Sequence, residues 1–199
     1  MKKTILQIVL LAIALFLVYL IYESIMQPVR FNKERDLRTE AVIQNLKDIR
    51  AAQIAFRSIH QRYTKSFDTL INFIKAGEIP VVKVVPDPTD TTFTRSIRDT
   101  IGYILVKDSL FAKRGPFDVN NLRYIPYSDG EPFTMDAGQL ERSNIMVNVF
   151  VASALNTQFM KGLDKQLVSN FNDLLESTHR FAGIKVGSME EATIDGNWE

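Results

Sequence analysis

An apolar segment, Ile5–Tyr22, reads ILQIVLLAIALFLVYLIY and sets the architecture of the whole chain. It carries no charge, and Gln7 is its one polar member. At about 1.5 Å per residue, a helix of this length is roughly 27 Å long, close to the ~30 Å hydrocarbon core of a bilayer. A helix that is apolar on every face does not suit the surface of a small domain. The segment therefore predicts a transmembrane helix, and we expect an anchor over residues 1–27.

The flanks of this segment separate two interpretations. Lys2 and Lys3 precede it, which fits both a secretory signal peptide and an anchor. The apolar run exceeds the ~7–15 residues of a signal peptide, and Glu23–Gln27 contains no small-residue cleavage pattern. We therefore expect an uncleaved, single-pass signal anchor, with a cleaved signal peptide as the alternative.

Basic residues on both sides of the segment bear on its orientation. Beyond it lie Arg30, Lys33, Arg35 and Arg38. A literal count of basic residues places the large domain in the cytoplasm. A short tail that begins Met-Lys-Lys resists translocation, however, and Glu34 and Asp36 interrupt the basic residues beyond the segment. We therefore expect the tail inside and the domain outside.

The composition excludes several classes of function. The chain has 199 residues and is 46% hydrophobic, which is too apolar for a disordered protein. Its 24 basic and 23 acidic residues leave a net charge of +1, so there is no basic excess to drive sequence-independent binding of nucleic acid. The absence of cysteine excludes disulfide scaffolds, zinc fingers and thiolate catalysis.

A second helical segment follows Pro28, a residue that can kink or interrupt the chain. Apolar residues then recur at alternating steps of four and three, a spacing typical of a helix that packs along one seam. The seam positions are Val42, Leu46, Ile49, Gln53, Phe56, His60 and Tyr63. We predict a stalk helix over residues 28–63 whose charged start is solvated. We expect Val42, Ile49 and Phe56 to bind a partner or a second copy; Gln53 and His60 are either satisfied polar groups or a register device.

Residues 64–199 predict an α+β domain with an antiparallel sheet and packed helices. Its first element is a short helix, capped by Ser66 or Thr64 and ended by Gly77. The strand predictions are Ile101–Val106, Ser109–Ala112, Leu122–Ile125, Pro132–Met135 and Asn144–Ala152, with hairpin turns at Lys107-Asp108 and Ser128-Asp129-Gly130. An amphipathic helix is predicted over Leu163–His179. Trp198 in the final tail either docks onto the sheet or inserts into a partner, and it is our fourth candidate binding residue.

The chain carries no motif of catalysis or cofactor binding. No phosphate-binding loop, serine-nucleophile elbow or zinc-protease helix is present. His60 and His179 lack partners at ligand spacing, and a helix C-terminus explains His179. Asp87, Asp90 and the run Asp118–Asn121 hold oxygen ligands but match no calcium loop, and turns explain them more simply. We expect no enzyme, no cofactor and no metal.

Two resemblances add to these patterns. Leu46–Phe56, Arg62-Tyr63-Thr64 and Phe67–Leu70 resemble the point where the helix of a type IV pilin or pseudopilin ends in a Tyr-containing turn, and Thr4–Gln7 is similar to the start of mature pilins. That resemblance implies a pilin-like fold. A larger part of the chain resembles a group of single-pass membrane proteins from Bacteroidota. The segments that carry this likeness are Pro28–Glu34, Lys47–Gln53, Leu122–Tyr127, Lys161–Gln166 and Gly196–Glu199.

These observations favour a structural role. We expect a membrane-anchored, non-catalytic scaffold subunit of a cell-envelope assembly, similar to a pseudopilin. Its partners would be the lipid bilayer and other envelope proteins, or further copies bound through the stalk helix. The alternative is a membrane-tethered domain that binds a ligand or a peptide in an apolar pocket.

Overall fold

The structure is a computed structural model that describes residues 2–86, 96–112, 114–115 and 117–199. Its helices are α1 (Lys2–His60), α2 (Phe67–Ala76), α3 (Val106–Phe111), a 3-10 helix (Val119–Arg123), α4 (Asn156–Phe159) and α5 (Lys165–Ser177). Its strands are β1 (Glu78–Pro86), β2 (Ser96–Leu105), β3 (Thr134–Arg142), β4 (Ile145–Leu155) and β5 (Gly183–Gly187). The chain is therefore an α+β protein with a long N-terminal apolar helix and antiparallel sheets, which confirms the predicted class.

The first helix, α1, runs without a break for 59 residues. Pro28 lies inside it rather than ending it. Proline lacks an N–H, so the carbonyl of Ser24 has no helical donor at that turn. This turn is exposed, where water can hydrate the free carbonyl. The predicted boundary between residues 27 and 28 is therefore not a break in the chain's secondary structure.

The second half of α1, which we call the domain segment (Phe31–His60), forms part of the domain core. Its buried positions follow the predicted seam: Val42, Leu46, Ile49, Gln53 and Phe56 are all at most 4% exposed. They pack against buried residues of α2, α3, the 3-10 helix and β4. Residues 31–60 of the predicted stalk (28–63) therefore pack as the central helix among elements of the predicted domain (64–199).

The turn after α1 is held by Gln53. The side-chain amide N of this buried residue donates to the carbonyl O of Thr64 over 2.6 Å, and its amide O accepts from the Thr64 N–H over 3.1 Å. The chain then enters α2, whose N-cap is Ser66, as predicted. At its other end a Cβ on Gly77 would lie 2.4 Å from the carbonyl O of Phe73, so only glycine fits there.

Strands β1 and β2 form a separate two-stranded antiparallel sheet, which we call the ribbon. The ribbon joins the domain through α3, whose first residue, Val106, is fully buried and donates its N–H to the carbonyl O of Gly77. The predicted strand Ser109–Ala112 and its turn at Lys107-Asp108 are wrong, because these residues continue into α3. Val106, Leu110 and Phe111 are spaced as on one helical face, and burying that face favours the helix.

The larger sheet has the order β3-β4-β5, and β4 lies at its centre. Strand β4 confirms the predicted strand Asn144–Ala152, whereas β3 extends well beyond Pro132–Met135. Ser143 and Asn144 connect the two strands with φ values of 52° and 64°, the conformation of a tight hairpin turn. Of the predicted strand Leu122–Ile125, Leu122 and Arg123 belong to the 3-10 helix, and Tyr124 forms one antiparallel bridge with Pro132.

Candidate interaction surfaces

The three seam residues that we expected to bind a partner are enclosed by the chain itself. Val42 and Ile49 are fully buried and Phe56 is 4% exposed. The Phe56 ring packs edge-on against Phe73 of α2, with ring centroids 5.2 Å apart. The periodic face therefore makes its contacts within the domain, and partner binding through Val42, Ile49 and Phe56 would require the domain to open.

Trp198 docks onto its own domain, which is one of the two positions predicted for it; the other was insertion into a partner. Gly196 forms a bridge with Val186, and the Asn197 side chain bonds both the N–H of Lys185 and the carbonyl O of Gly183. The tail thereby covers the outer edge of β5. The Trp198 ring is partly buried against the core, and Glu199 pairs with Arg50 of α1 over 2.8 Å. Inserting this ring into a partner would require the tail to leave the sheet.

The first half of α1 exposes apolar side chains around its whole circumference. We call Ile5–Tyr22 the apolar segment; its large hydrophobic residues are 46–64% exposed. It belongs to the one helix in the described part of the chain that is long and apolar enough to cross a bilayer. Its most apolar 18-residue window has a mean hydropathy of 2.8, and none of that window is covered by protein.

The domain begins directly beyond this segment. The Gln27 side-chain amide donates to Asp164, the N-cap of α5, over 2.8 Å. Arg38 donates to the carbonyl O atoms of Phe159 and Lys161 over 3.1 and 2.9 Å. Gln27 is five residues past Tyr22, which is about 7.5 Å along the helix axis. No flexible linker therefore separates the apolar segment from the domain.

The ribbon carries the largest group of exposed apolar residues in the described domain. Eight of them are between 39% and 68% exposed: Val81, Val82, Val84, Val85, Ile101, Tyr103, Ile104 and Leu105. Sequence reasoning missed this surface because apolar runs are normally assigned to the core. Patches of this kind on a folded protein usually mark an interaction site.

Apolar residues occupy both faces of the ribbon. Pro80 pairs with Tyr103, so Val82, Val84 and Tyr103 lie on one face. Ile79 pairs with Ile104, so Val81 and Val85 lie on the other. The register shifts between Val81 and Val82 and leaves Ile101 opposite no partner, which is a β-bulge. Among the ribbon residues whose side chains are described, neither face is covered along 81–85 and 99–105.

A polar cavity of about 450 Å³ lies at the end of α1 that is far from the apolar segment. The rings of Phe56 and Tyr63 contribute to its wall, and Arg62 and Lys65 contribute two positive charges. Among the described residues, no carboxylate lines this cavity, and no Asp or Glu lies within ion-pair distance of Arg62 or Lys65. This surface, which we call the distal cavity, suits an anionic ligand better than an apolar one.

An ion pair with a buried carboxylate joins Asp48 of α1 to Arg114, which follows α3. The Asp48 carboxylate is 8% exposed and accepts from Arg114 over 2.8 Å and from Gln44 over 3.1 Å. Burial raises the pKa of Asp48 above its ordinary value, and Arg114 and Gln44 oppose that rise. On the surface, the Asp129 carboxylate raises the pKa of Lys161 through an ion pair of 3.0 Å.

The remaining polar candidates lie apart from one another. The exposed His60 ring stacks on Phe56 at 4.3 Å between centroids, and His179 follows the end of α5. Asp118 caps the 3-10 helix, while Asp87 and Asp90 lie outside the described residues. Within the described ranges, no three His, Asp or Glu residues are grouped so that they could hold a metal ion. Comparison with family models, curated proteins and solved structures finds no match for this chain.

Proposed function

We propose that this protein is a membrane-anchored, non-catalytic structural subunit of a bacterial cell-envelope assembly. The apolar segment spans the inner membrane once, and the domain lies on the periplasmic side. The observation that carries the proposal is the division of α1, whose first part is wholly uncovered and whose second part is the core of the domain. An organisation in which one helix serves both the bilayer and the domain is what the pilin resemblance implies.

The energetics of the apolar segment support the anchor. Its 18 residues include large side chains that are at least 46% exposed on every side of the helix. Each Leu, Ile, Val or Phe side chain gains about 1.5–3 kcal/mol when it is removed from water. Hydrocarbon offers that gain on all faces of a helix at once, whereas a protein surface covers one face.

The contacts beyond the segment support a scaffold role. The Gln27–Asp164 bond and the two bonds from Arg38 hold α5 and its preceding loop against the same helix that enters the bilayer. The domain is therefore held at a fixed height above the membrane. Fixed height and orientation are useful to a subunit that must present one surface to its neighbours.

The anchor and its orientation can be tested together. Alkaline carbonate should leave the full chain in the membrane pellet, and detergent should release it. The chain has no cysteine, so Lys3→Cys and Lys107→Cys place one thiol on each side of the apolar segment. In spheroplasts, an impermeant maleimide should label only the Lys107→Cys variant.

The structural role has its own readout. After mild solubilisation, the protein should migrate on native gels as a complex larger than one chain in its detergent micelle. Release of the protein by carbonate would overturn the anchor. Labelling of Lys3→Cys instead of Lys107→Cys would overturn the periplasmic orientation. A single-chain species at every protein concentration would overturn the structural role.

A second candidate function is ligand binding, and the distal cavity is the observation that favours it. Its volume suits a small molecule, and Arg62 and Lys65 favour a carboxylate. The probe is glucuronate, with glucose as the neutral control, titrated into the detergent-solubilised chain by calorimetry. Binding of glucuronate alone, lost in the Arg62→Ala/Lys65→Ala variant, would support this function. Equal heats for both sugars would remove it.

A further inference from the structure

We infer that the ribbon is a self-association surface whose occupant is the ribbon of a second copy of this chain. This rests on the proposed function, because anchoring places every ribbon at the same distance from the bilayer. The ribbon is not the surface from which the sequence predicted association, since the seam of α1 is buried. It is formed by β1 and β2, and its main contacts outside itself are with the flanking helices α2 and α3.

The first argument is that the ribbon lacks a cover. Val84, Ile101 and Tyr103 are 61%, 62% and 68% exposed. A two-stranded hairpin is marginally stable in water unless a third element packs on it. The eight exposed apolar side chains together present several hundred Å², which approaches the ~800 Å² per partner of a standard interface. A cover of matching size is therefore expected.

The second argument concerns the edges of the ribbon. Strand β1 contains Pro80, Pro86 and Lys83, which are residues that protect an edge strand from pairing. Strand β2 contains a charged residue, Asp99, and the β-bulge at Ile101, and both features also protect an edge strand. Neither edge is therefore suited to accept another strand, so the second copy packs on an apolar face of the ribbon. Two such faces related by a two-fold axis form a closed, symmetric contact.

The third argument concerns charge and geometry. The two strands contain two acidic residues, Glu78 and Asp99, and two basic residues, Lys83 and Arg98, so their formal charge sums to zero. Two copies of this surface therefore meet without net repulsion, whereas a strongly charged partner would gain no electrostatic attraction here. Copies anchored in one membrane share the same height and differ only by rotation about the membrane normal, which is how cyclic oligomers form.

The test compares the ribbon with an equally exposed apolar residue elsewhere. Val84→Asp/Tyr103→Ser alters the ribbon, and Leu174→Asp on α5, where Leu174 is 61% exposed, is the control. The full chain is reconstituted in nanodiscs large enough for several copies, and the copies are counted by single-molecule photobleaching. Wild type and the control should contain at least two copies per assembly, and the ribbon variant should contain one. Circular dichroism should show the same fold in all three.

A thiol crosslink identifies the occupant. In cell membranes, a short bismaleimide should join Thr100→Cys chains into a species of twice the chain mass, while Leu174→Cys chains stay single. Equal copy numbers in the wild type and the ribbon variant would overturn the inference, as would a crosslink of Thr100→Cys to a different protein. A monomeric chain that resists carbonate extraction would overturn the inference and the structural role but leave the anchor intact, whereas an assembly that forms equally well in the ribbon variant would overturn the inference alone. A chain released by carbonate would overturn the anchor itself.

Discussion

The two halves of α1 differ in the number and in the arrangement of their apolar side chains. In the apolar segment 17 of 18 residues are apolar, whereas in the domain segment 13 of 30 are. In the apolar segment these side chains lie on every face of the helix and are 46–64% exposed. In the domain segment they follow one seam, and Val42, Leu46 and Ile49 are fully buried. The difference shows that the number of apolar residues and their arrangement around a helix together decide whether the rest of the chain covers them.

The largest effect on stability is expected from a charge placed on the buried side of the domain segment. Ile49→Asp should destabilise the domain by about 5 kcal/mol or more, because an unpaired carboxylate would be buried in the core. Ile54→Asp is the matched control, since Ile54 is 42% exposed on the same helix. It should lower the free energy of unfolding by about 1 kcal/mol or less.

Fluorescence of Trp198, the one tryptophan in the chain, can follow the urea unfolding of both variants in detergent. Similar unfolding midpoints for the two variants would mean that the seam is not the core of the domain.

The next test concerns the polar member of the seam. Gln53→Ala leaves both the N–H and the carbonyl O of Thr64 without their buried partner. We expect a loss of about 2–3 kcal/mol in the free energy of unfolding. Lys47→Ala, at an exposed position of the same helix, should change it by less than about 0.5 kcal/mol. A Gln53→Ala protein as stable as the control would show that the turn does not depend on this amide.

The smallest expected effect is pH-dependent. Arg114→Ala removes the cation beside Asp48 and should raise the pKa of that carboxyl further. A folded-state pKa above the ordinary 3.8 means that the folded chain binds more protons, so its stability falls as the pH rises through that range.

The loss in Arg114→Ala should therefore be larger at pH 7, about 1–2 kcal/mol, than at pH 4.5. Arg114→Lys keeps the charge and should recover part of the loss. Urea unfolding at both pH values measures this difference. A loss that stays constant with pH would show that Asp48 is not ionised beside Arg114.

Much of the helical part of the fold could be predicted from the sequence. The apolar run of Ile5–Tyr22 and the seam from Val42 to Phe56 depend on short-range periodicity, which is visible in one sequence. Periodicity shows that a face is covered but not by what. Periodicity alone therefore predicts that a partner covers the seam, whereas the chain's own α2, α3 and β4 cover it.

The strands and the interaction surface were harder to predict. A proline such as Pro80 normally predicts the end of a strand, yet it lies inside β1. The short apolar runs around α3 fit a helix and a strand equally well. The ribbon was missed because its exposure depends on which elements pack beside it, and this is decided by long-range contacts. The bond between Gln53 and Thr64 likewise depends on the turn that returns the chain to α1.

The most direct test of the divided helix is to measure the surroundings of two matched leucines. Other parts of the chain leave both side chains largely uncovered: Leu11 is 62% exposed and Leu37 is 49% exposed. Spin labels at Leu11→Cys and Leu37→Cys, in the full chain in lipid nanodiscs, report access to oxygen and to a water-soluble nickel complex. We predict that the label at position 11 meets oxygen and excludes nickel, and that the label at position 37 does the reverse. Equal nickel access at both positions would contradict the account.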